Sequence, residues 1–381
     1  MKKRPLVDVV YGTRPEAIKC APVILGLRGD AELDVRVVAA NQQKGMPDRV
    51  EAYFGLNPDA ALDVGRPGQT LVDIGVGVMT GLTADFAVRH PDMVMVHGDT
   101  TTSMAAALAA YYNEIPVAHL EAGLRSGDLN SPYPEEGNRR LTADVTAVHL
   151  APTGVARANL LAENVPATSI YVTGNTVIDA LQYSVAHPVG LGAGPVADAV
   201  ASGRRLVVVT GHRRESWGGG LASMAAAIAS VARAHADVTV VWPMHPNPVV
   251  RDALMPQVAG LANMVLTEPL DYPEFCQLMA ASYCLVTDSG GIQEEAPSLG
   301  KPVLVTREVT ERPEAIEAGT VRLVGTDSAV IVRELTALLD DKAHYAAMSH
   351  AVNPYGDGKA TGRVLGALKH YFGLGPRPDD F

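Results

Sequence analysis

Three carboxylate-bearing segments follow one another within about one βαβ unit of sequence. They are His97-Gly98-Asp99-Thr100, then His119-Leu120-Glu121-Ala122-Gly123-Leu124-Arg125-Ser126, then Pro134-Glu135-Glu136-Gly137-Asn138-Arg139. Each lies just beyond an apolar run. Ligands of α/β sheets bind outside the carboxyl ends of the strands, so Asp99, Glu121, Glu135 and Glu136 are expected to face one crevice. Acids that share a crevice have their pKa values driven apart, which supplies a general acid and a general base together. The competing reading is a structural ion-pair network with Arg125, Arg139 and Arg140, and some of these acids must serve that purpose. No metal-ligand spacing is present, so no metal is expected.

Cations and glycine turns accompany the acids. Gly12-Thr13-Arg14-Pro15-Glu16 lies where a first strand meets a first helix, and the free N–H groups of such a turn suit an anion. Arg14 adds charge there, and Lys19 lies one helical turn beyond Pro15; an exposed Arg and Lys explain the spacing equally well. Asp288-Ser289-Gly290-Gly291-Ile292-Gln293-Glu294-Glu295 follows a second-half strand. Its glycines allow close approach of a diphosphate, and Glu294 or Glu295 suits a ribose hydroxyl pair. A glycine-rich helix start with dipole-favoured acids is the plainer alternative. Thr210-Gly211-His212-Arg213-Arg214-Glu215-Ser216 offers a proton-transfer histidine and guanidinium groups for a diphosphate leaving group. His245 is adequately explained as a loop residue. No GxGxxG motif occurs, so a dinucleotide is not implied.

These residues must be positioned by alternating strands and helices. Strands are expected at Leu6–Val10, Val35–Ala39, Met93–Val96, Val117–His119 and Val148–Ala151, with helices at Thr102–Tyr112 and Asn138–Ala143. The pattern restarts at Leu206–Thr210, Val238–Trp242, Met264–Leu266, Cys284–Thr287 and Val303–Val305. The Gly-, Pro- and Ala-rich segment His187–Gly203 reads as a surface excursion, and Ala360–Tyr371 as a closing helix. Two doubly wound halves are therefore expected, residues 1–175 with 360–381, and residues 176–359.

Composition narrows the partners. The chain has 381 residues and a formal charge of −11, with 31 basic and 42 acidic groups. That balance argues against nucleic acid or an anionic membrane as the main partner. The hydrophobic share is 47%, carried by Ala, Val and Leu with few aromatics, which suits helices packed closely on parallel sheets. Three cysteines, Cys20, Cys276 and Cys284, have no ligand spacing and read as reduced thiols of a cytoplasmic protein. The basic opening Met1-Lys2-Lys3-Arg4 is cut short by Asp8 and reads as a strand leader rather than a signal peptide. The uncharged stretch Gly218–Val231 is too short to span a bilayer.

Taken together, GTRPE at 12–16, HGDT at 97–100, HLEAGLRS at 119–126, SPYPEEGNR at 131–139, TGHRRES at 210–216 and DSGGIQEEAPSLGKP at 288–302 resemble the non-hydrolysing UDP-N-acetylglucosamine 2-epimerases. The resemblance implies a GT-B-type fold, with two Rossmann-like doubly wound domains and the active site in the cleft between them. It implies interconversion of UDP-GlcNAc and UDP-ManNAc with no redox cofactor and no required metal. Asp99, Glu121, Glu135 and His212 match catalytic positions. Arg14 and Lys19 match contributors to ligand binding and charge balance, and His245, Ser289, Gly290, Gly291 and Glu295 match UDP-binding positions; Arg213 or Arg214 is the guanidinium expected to neutralise a diphosphate. A homodimer is the expected assembly.

One segment departs from the family pattern. Ala40-Asn41-Gln42-Gln43-Lys44-Gly45-Met46 has Gln43 where the family usually has histidine. In many bacterial members this region, with the residues matching Gln69 and Glu136, binds a second UDP-GlcNAc that activates the enzyme; the departure puts that regulation in doubt. Rival readings are a GT-B glycosyltransferase, a hydrolysing epimerase, an epimerase of a related diacetamido sugar nucleotide, and a non-catalytic sensor. The dense acids and the intact GTRPE disfavour a transferase, and the HLEAGLRS and PEEGNR forms favour the non-hydrolysing branch.

Overall fold

The computed structural model describes residues 4–43, 45, 47–211, 219–310 and 312–381. They form two compact units, residues 1–180 with 355–381, and residues 181–354. The first holds seven strands: β1 (Leu6–Tyr11), β2 (Asp34–Ala39), β3 (Ala60–Ala61), β4 (Met93–His97), β5 (Val117–Leu120), β6 (Val148–Ala151) and β7 (Ile170–Val172). The second holds six: β8 (Arg205–Thr210), β9 (Val238–Pro243), β10 (Met264–Thr267), β11 (Cys284–Thr287), β12 (Val303–Val305) and β13 (Val321–Leu323).

The sheet orders are β3-β2-β1-β4-β5-β6-β7 and β10-β9-β8-β11-β12-β13, and every pairing is parallel. Strand order therefore reverses between β1 and β4 in one unit and between β8 and β11 in the other. Such switch points leave a crevice at the strand carboxyl ends, because the flanking crossovers run in opposite directions. GTRPE follows β1 and HGDT follows β4; the Thr210 segment follows β8 and DSGG follows β11. Chain order alone thus brings GTRPE, HGDT, Thr210 and DSGG to the switch points of the two sheets.

Val-rich strands form because helices cover both faces of a parallel sheet. The helix Leu71–Val88 buries Ile74, Val78, Leu82 and Phe86, one stripe at helical spacing. It packs with the helix Thr101–Tyr112, whose Ala105, Ala106, Ala109 and Ala110 are buried and keep the approach close. The second unit gathers around fully buried Trp242, with Val209, Val240, Ile228 and Leu335. One charged pair sits inside the first sheet. Asp8 of β1 lies beside Arg36 of β2 and accepts from its Nε at 3.1 Å and its Nη2 at 2.5 Å.

One element differs from the sequence reading, and two others take a place it did not specify. The segment read as a surface excursion contains a helix, Pro195–Ala201, with Val196 and Ala199 buried; Pro195 presets its first turn. The helix Leu71–Val88 is by length and composition apolar enough to cross a membrane, yet its buried stripe belongs to the first unit's core. Residues 219–231 of the uncharged stretch lie in the helix Gly219–Ala234.

The closing helix Ala360–Tyr371 belongs to the first unit. Asp179 caps it, accepting from the Ala360 amide at 3.2 Å and the Thr361 amide at 2.8 Å. Beyond it the chain reaches the edge of the sheet, where the Phe381 amide donates to the β7 carbonyl of Val172 at 2.8 Å.

Candidate active site

In the first unit Glu16 joins the first turn to the HGDT loop. Its Oε2 accepts from the Gly12 amide at 3.1 Å, and its Oε1 accepts from Thr100 Oγ1 at 2.8 Å and Ser103 Oγ at 2.7 Å. This buried acid of GTRPE is thus a brace. Gly12 has to be glycine, since a Cβ there would lie 2.4 Å from Thr102 Oγ1.

Glu121 stands just past β5 with φ +64°, a left-handed conformation that a non-glycine residue seldom adopts. The backbone turns its carboxylate toward Lys19, which donates to Oε1 at 2.8 Å and Oε2 at 2.7 Å. His97 Nε2 lies 2.7 Å from Oε2, with the ring turned so that the contact is not a well-directed hydrogen bond. Burial alone would push the Glu121 carboxyl up, but Lys19 and then His97 outweigh it and hold it well below the usual carboxylate range. Next to it on β5, His119 is fully buried, its Nε2 2.7 Å from the Gly98 carbonyl. Burial pushes His119 down to about 3, so the ring is neutral and Nε2–H is the donor. That bond pins the turn bearing Asp99.

Asp99 meets Arg139, which donates from Nη2 at 2.7 Å and Nε at 3.0 Å. Arg139 also donates to Glu136 at 3.1 Å. Glu136 is buried and accepts from the Ser126 amide at 3.0 Å; burial opposes its ionisation, but that amide and Arg139 prevail and hold it low. The three acid segments therefore do converge, and the contacts sort them. Glu136 is consumed in holding the Ser126 turn. Glu135, its neighbour at the start of the helix Glu135–Asp144, has a buried Oε2 with no hydrogen-bond partner among the described residues. Such an orphaned acceptor costs stability unless a ligand meets it.

Arg14 is exposed on the first turn of its helix, and its amide donates to Gln43 Oε1 at 3.2 Å. Gln42 accepts from Thr102 Oγ1 at 2.7 Å, and Gln69 Nε2 donates to the Gln42 carbonyl at 3.2 Å. The departing Gln43 thus lies against the GTRPE turn. Gln69 also lines a hollow of about 690 Å³ with Asp63, Arg66 and Asp73.

In the second unit, Thr210 of β8 and Thr287 of β11 share a hydrogen bond of 2.6 Å across the switch point. His212, Arg213 and Arg214 lie outside the described residues. The Ser289 amide donates to Thr287 Oγ1 at 2.9 Å, and Ser289 immediately precedes the helix Gly290–Glu295 without a side-chain capping bond. A Cβ on Gly290 would lie 2.6 Å from Arg312 Nη1, so a guanidinium rests against the glycine turn. The same arginine donates from Nε to Glu294 at 2.7 Å. Glu295 instead accepts from the hydroxyl of Tyr272 at 2.9 Å. The sequence left these two acids equivalent; their contacts separate them. His245 follows β9, and its Nδ1 accepts from the Asn247 amide at 3.2 Å, which leaves the ring proton on Nε2.

Sequence reasoning missed His97, Tyr272 and Arg312. His97 stood inside a quoted motif but carried no signal beyond proximity to Asp99. Tyr272 opens a legible capping box, Asp271 with Glu274, yet nothing local says that its hydroxyl reaches Glu295. Arg312 is far in sequence from the glycines it covers. Among the described residues no group of three His, Cys, Asp or Glu side chains is arranged to hold a metal.

Two all-parallel sheets with polar turns at both switch points define a GT-B-type α/β protein, built of two Rossmann-like units. A family model described as UDP-N-acetylglucosamine 2-epimerase matches residues 26–369. The UDP-N-acetylglucosamine 2-epimerase of Escherichia coli K12 is 48% identical over 371 residues, 96% of this chain and 98% of its own. The S. aureus MnaA structure with UDP is 40% identical with a TM-score of 0.89, covering 99% of this chain and 100% of that one. The Neisseria meningitidis UDP-GlcNAc 2-epimerase structure bound to UDP-GlcNAc is 42% identical with a TM-score of 0.85, covering 96% and 100%. The chain belongs to the UDP-N-acetylglucosamine 2-epimerase family.

Proposed function

We propose that this protein interconverts UDP-GlcNAc and UDP-ManNAc without net hydrolysis, an isomerase reaction. The hydrogen on C2 of the sugar is not acidic enough for simple removal and return. Loss of the C2 proton to a base, with the C1–O bonding pair leaving on UDP, forms a C1=C2 double bond and gives a 2-acetamidoglucal. UDP then adds back at C1 while a proton reaches C2 on the opposite face. The chemistry needs a proton-transfer group on each face and a stabilised diphosphate.

One observation carries the reading. Glu121 is held ionised by Lys19 and His97, while the neighbouring cluster leaves a buried Glu135 oxygen unpartnered. One acid is set to remain charged, and the other is set to meet a ligand. Asp99, held by Arg139, and His212 complete the catalytic set. Arg14, Lys19, Arg213, His245, Ser289, Gly290, Gly291 and Glu295 bind the nucleotide sugar. Incubation with UDP-GlcNAc alone in D₂O, followed by NMR, is the test. The expected product is UDP-ManNAc carrying deuterium at C2. Free ManNAc would mean a hydrolysing enzyme, and full retention of the original hydrogen would exclude elimination.

Activation by a second UDP-GlcNAc belongs to the same proposal, in a weakened form. Glutamine at position 43 cannot carry positive charge, and among the described residues lining the hollow beside Gln69, Arg66 faces two acids, Asp63 and Asp73. That balance suits a diphosphate poorly. The reverse reaction from pure UDP-ManNAc is therefore expected to start without added UDP-GlcNAc. Strict dependence on a trace of it would show a working activator site. A homodimer is also proposed, on the exposed apolar side of the helix Leu71–Val88, where Val72 and Val76 remain open. A cytoplasmic location is supported by three free, buried cysteines.

A further inference from the structure

Tyr272 is the first residue of its helix, and its hydroxyl is spent on Glu295 Oε1 at 2.9 Å. Burial above all, and then the Glu295 charge, push the phenol well above its ordinary value, so it is a neutral donor at any working pH. The other carboxylate oxygen, Oε2, lies 3.5 Å from where a Cβ on Gly291 would stand, on the side of the glycine turn. Tyr272 thus holds one carboxylate oxygen, and the other lies toward the turn that the nucleotide reading assigns to UDP. The two adjacent acids are treated differently. Glu294 meets a guanidinium, which neutralises as it binds. Glu295 meets the hydroxyl of a phenol, which adds no charge of its own and fixes direction. A phenylalanine would fill the Tyr272 site equally well. A buried hydroxyl is costly unless it is satisfied, so its presence points to the bond it makes.

We infer that Tyr272 is a positioning residue for sugar selection in the nucleotide: by fixing Glu295 it makes the protein prefer ribose over deoxyribose. The inference rests on the proposed contact between Glu295 and the ribose hydroxyls. A site built to bind a hydroxyl rejects the analogue that lacks it, because a polar group is then left unpaired. An acid free to swing would lose much of that rejection.

The test measures Kd for UDP, 2′-deoxy-UDP and 3′-deoxy-UDP by calorimetry, on the full-length wild type, Tyr272→Phe and Glu295→Gln. The readout is the ratio of deoxy to ribo Kd. Partial unfolding of a variant scales all three constants alike and leaves the ratio untouched, so loss of folded protein cannot imitate the effect. The wild type is expected to favour UDP by roughly 10–100-fold, the range for a hydrogen bond to a charged acceptor. Tyr272→Phe should shrink that ratio by about 3–10-fold and raise KM for the nucleotide sugar in step with the UDP Kd. If Glu295→Gln collapses the ratio while Tyr272→Phe preserves it, the ribose contact stands and the positioning role is overturned. If the wild type does not discriminate, or Glu295→Gln leaves the ratio intact, the ribose contact itself fails and the inference falls with it.

Discussion

Glu121 combines two costs at one position, a left-handed backbone and a buried charge. A conformation of that kind costs about 1–3 kcal/mol and persists where surroundings impose it, which is characteristic of working sites. Glu121→Gln keeps the shape and removes the charge; it also leaves the Lys19 ammonium without its counter-ion. Turnover is expected to fall about 10²–10⁴-fold, as for loss of a proton-transfer group, with UDP affinity changing far less. Glu135→Gln should lower turnover similarly, but with little change in melting temperature, since its Oε2 has no hydrogen-bond partner among the described residues to lose. Steady-state kinetics and UDP calorimetry on both variants decide the matter, and near-normal turnover removes a residue from the catalytic set. Residue type and spacing made these acids legible in the sequence, because strand ends collect ligand groups. Their division of labour was not legible. It depends on Lys19 and His97 reaching Glu121, and on Arg312 and Tyr272 reaching Glu294 and Glu295, from other elements, which no local pattern encodes.

The helix Leu71–Val88 is the most informative element. It went unmarked in the sequence because its apolar residues are spread round the whole circumference rather than confined to one stripe. The inner stripe is buried in the first unit, while Val72 and Val76 remain 71% and 56% exposed. A charge on that outer side is therefore compatible with the fold and incompatible with an apolar contact between copies. Val72→Glu with Val76→Glu is expected to convert a dimer to a monomer in sedimentation velocity, with the helical circular dichroism signal unchanged. A wild-type monomer at micromolar concentration would exclude the dimer. The turn after β1 makes a second element-level prediction. Gly12→Ala drives a methyl into Thr102, so it should destabilise by about 1–3 kcal/mol in urea unfolding, as overpacking does. Val-rich strands were largely legible from the sequence, whereas β3, β7 and β13 were not. At two or three residues each, they exist because a neighbouring strand offers hydrogen bonds, not because their own residues insist.

At the scale of the molecule, acid is the condition that matters. His119 and His149 are partners in the register of β5 and β6, and burial holds them neutral, down to about 3 and about 4. Each has its folded value below the unfolded 6.5, so the unfolded chain binds the extra protons. Their contribution is whole above pH 6.5 and drains away as pH falls toward 4, at up to about 1.4 kcal/mol per pH unit for each histidine. Urea midpoints measured from pH 7.5 to 4.5 should fall steadily, and His149→Gln should make the fall shallower. An unchanged slope would remove His149 from the account. The two-sheet architecture was readable from the alternation of apolar runs. What surrounds each buried histidine was not, since burial is a property of the assembled sheet. The first unit is also discontinuous: residues 355–381 complete it only after the whole of residues 181–354 has been made. On the ribosome, the second unit can thus fold while the first still lacks the Asp179-capped helix and the Phe381 edge bond. The half that carries the converging acids is the last to be finished, so a stalled or clipped nascent chain would retain a foldable second unit beside an incomplete acid cluster.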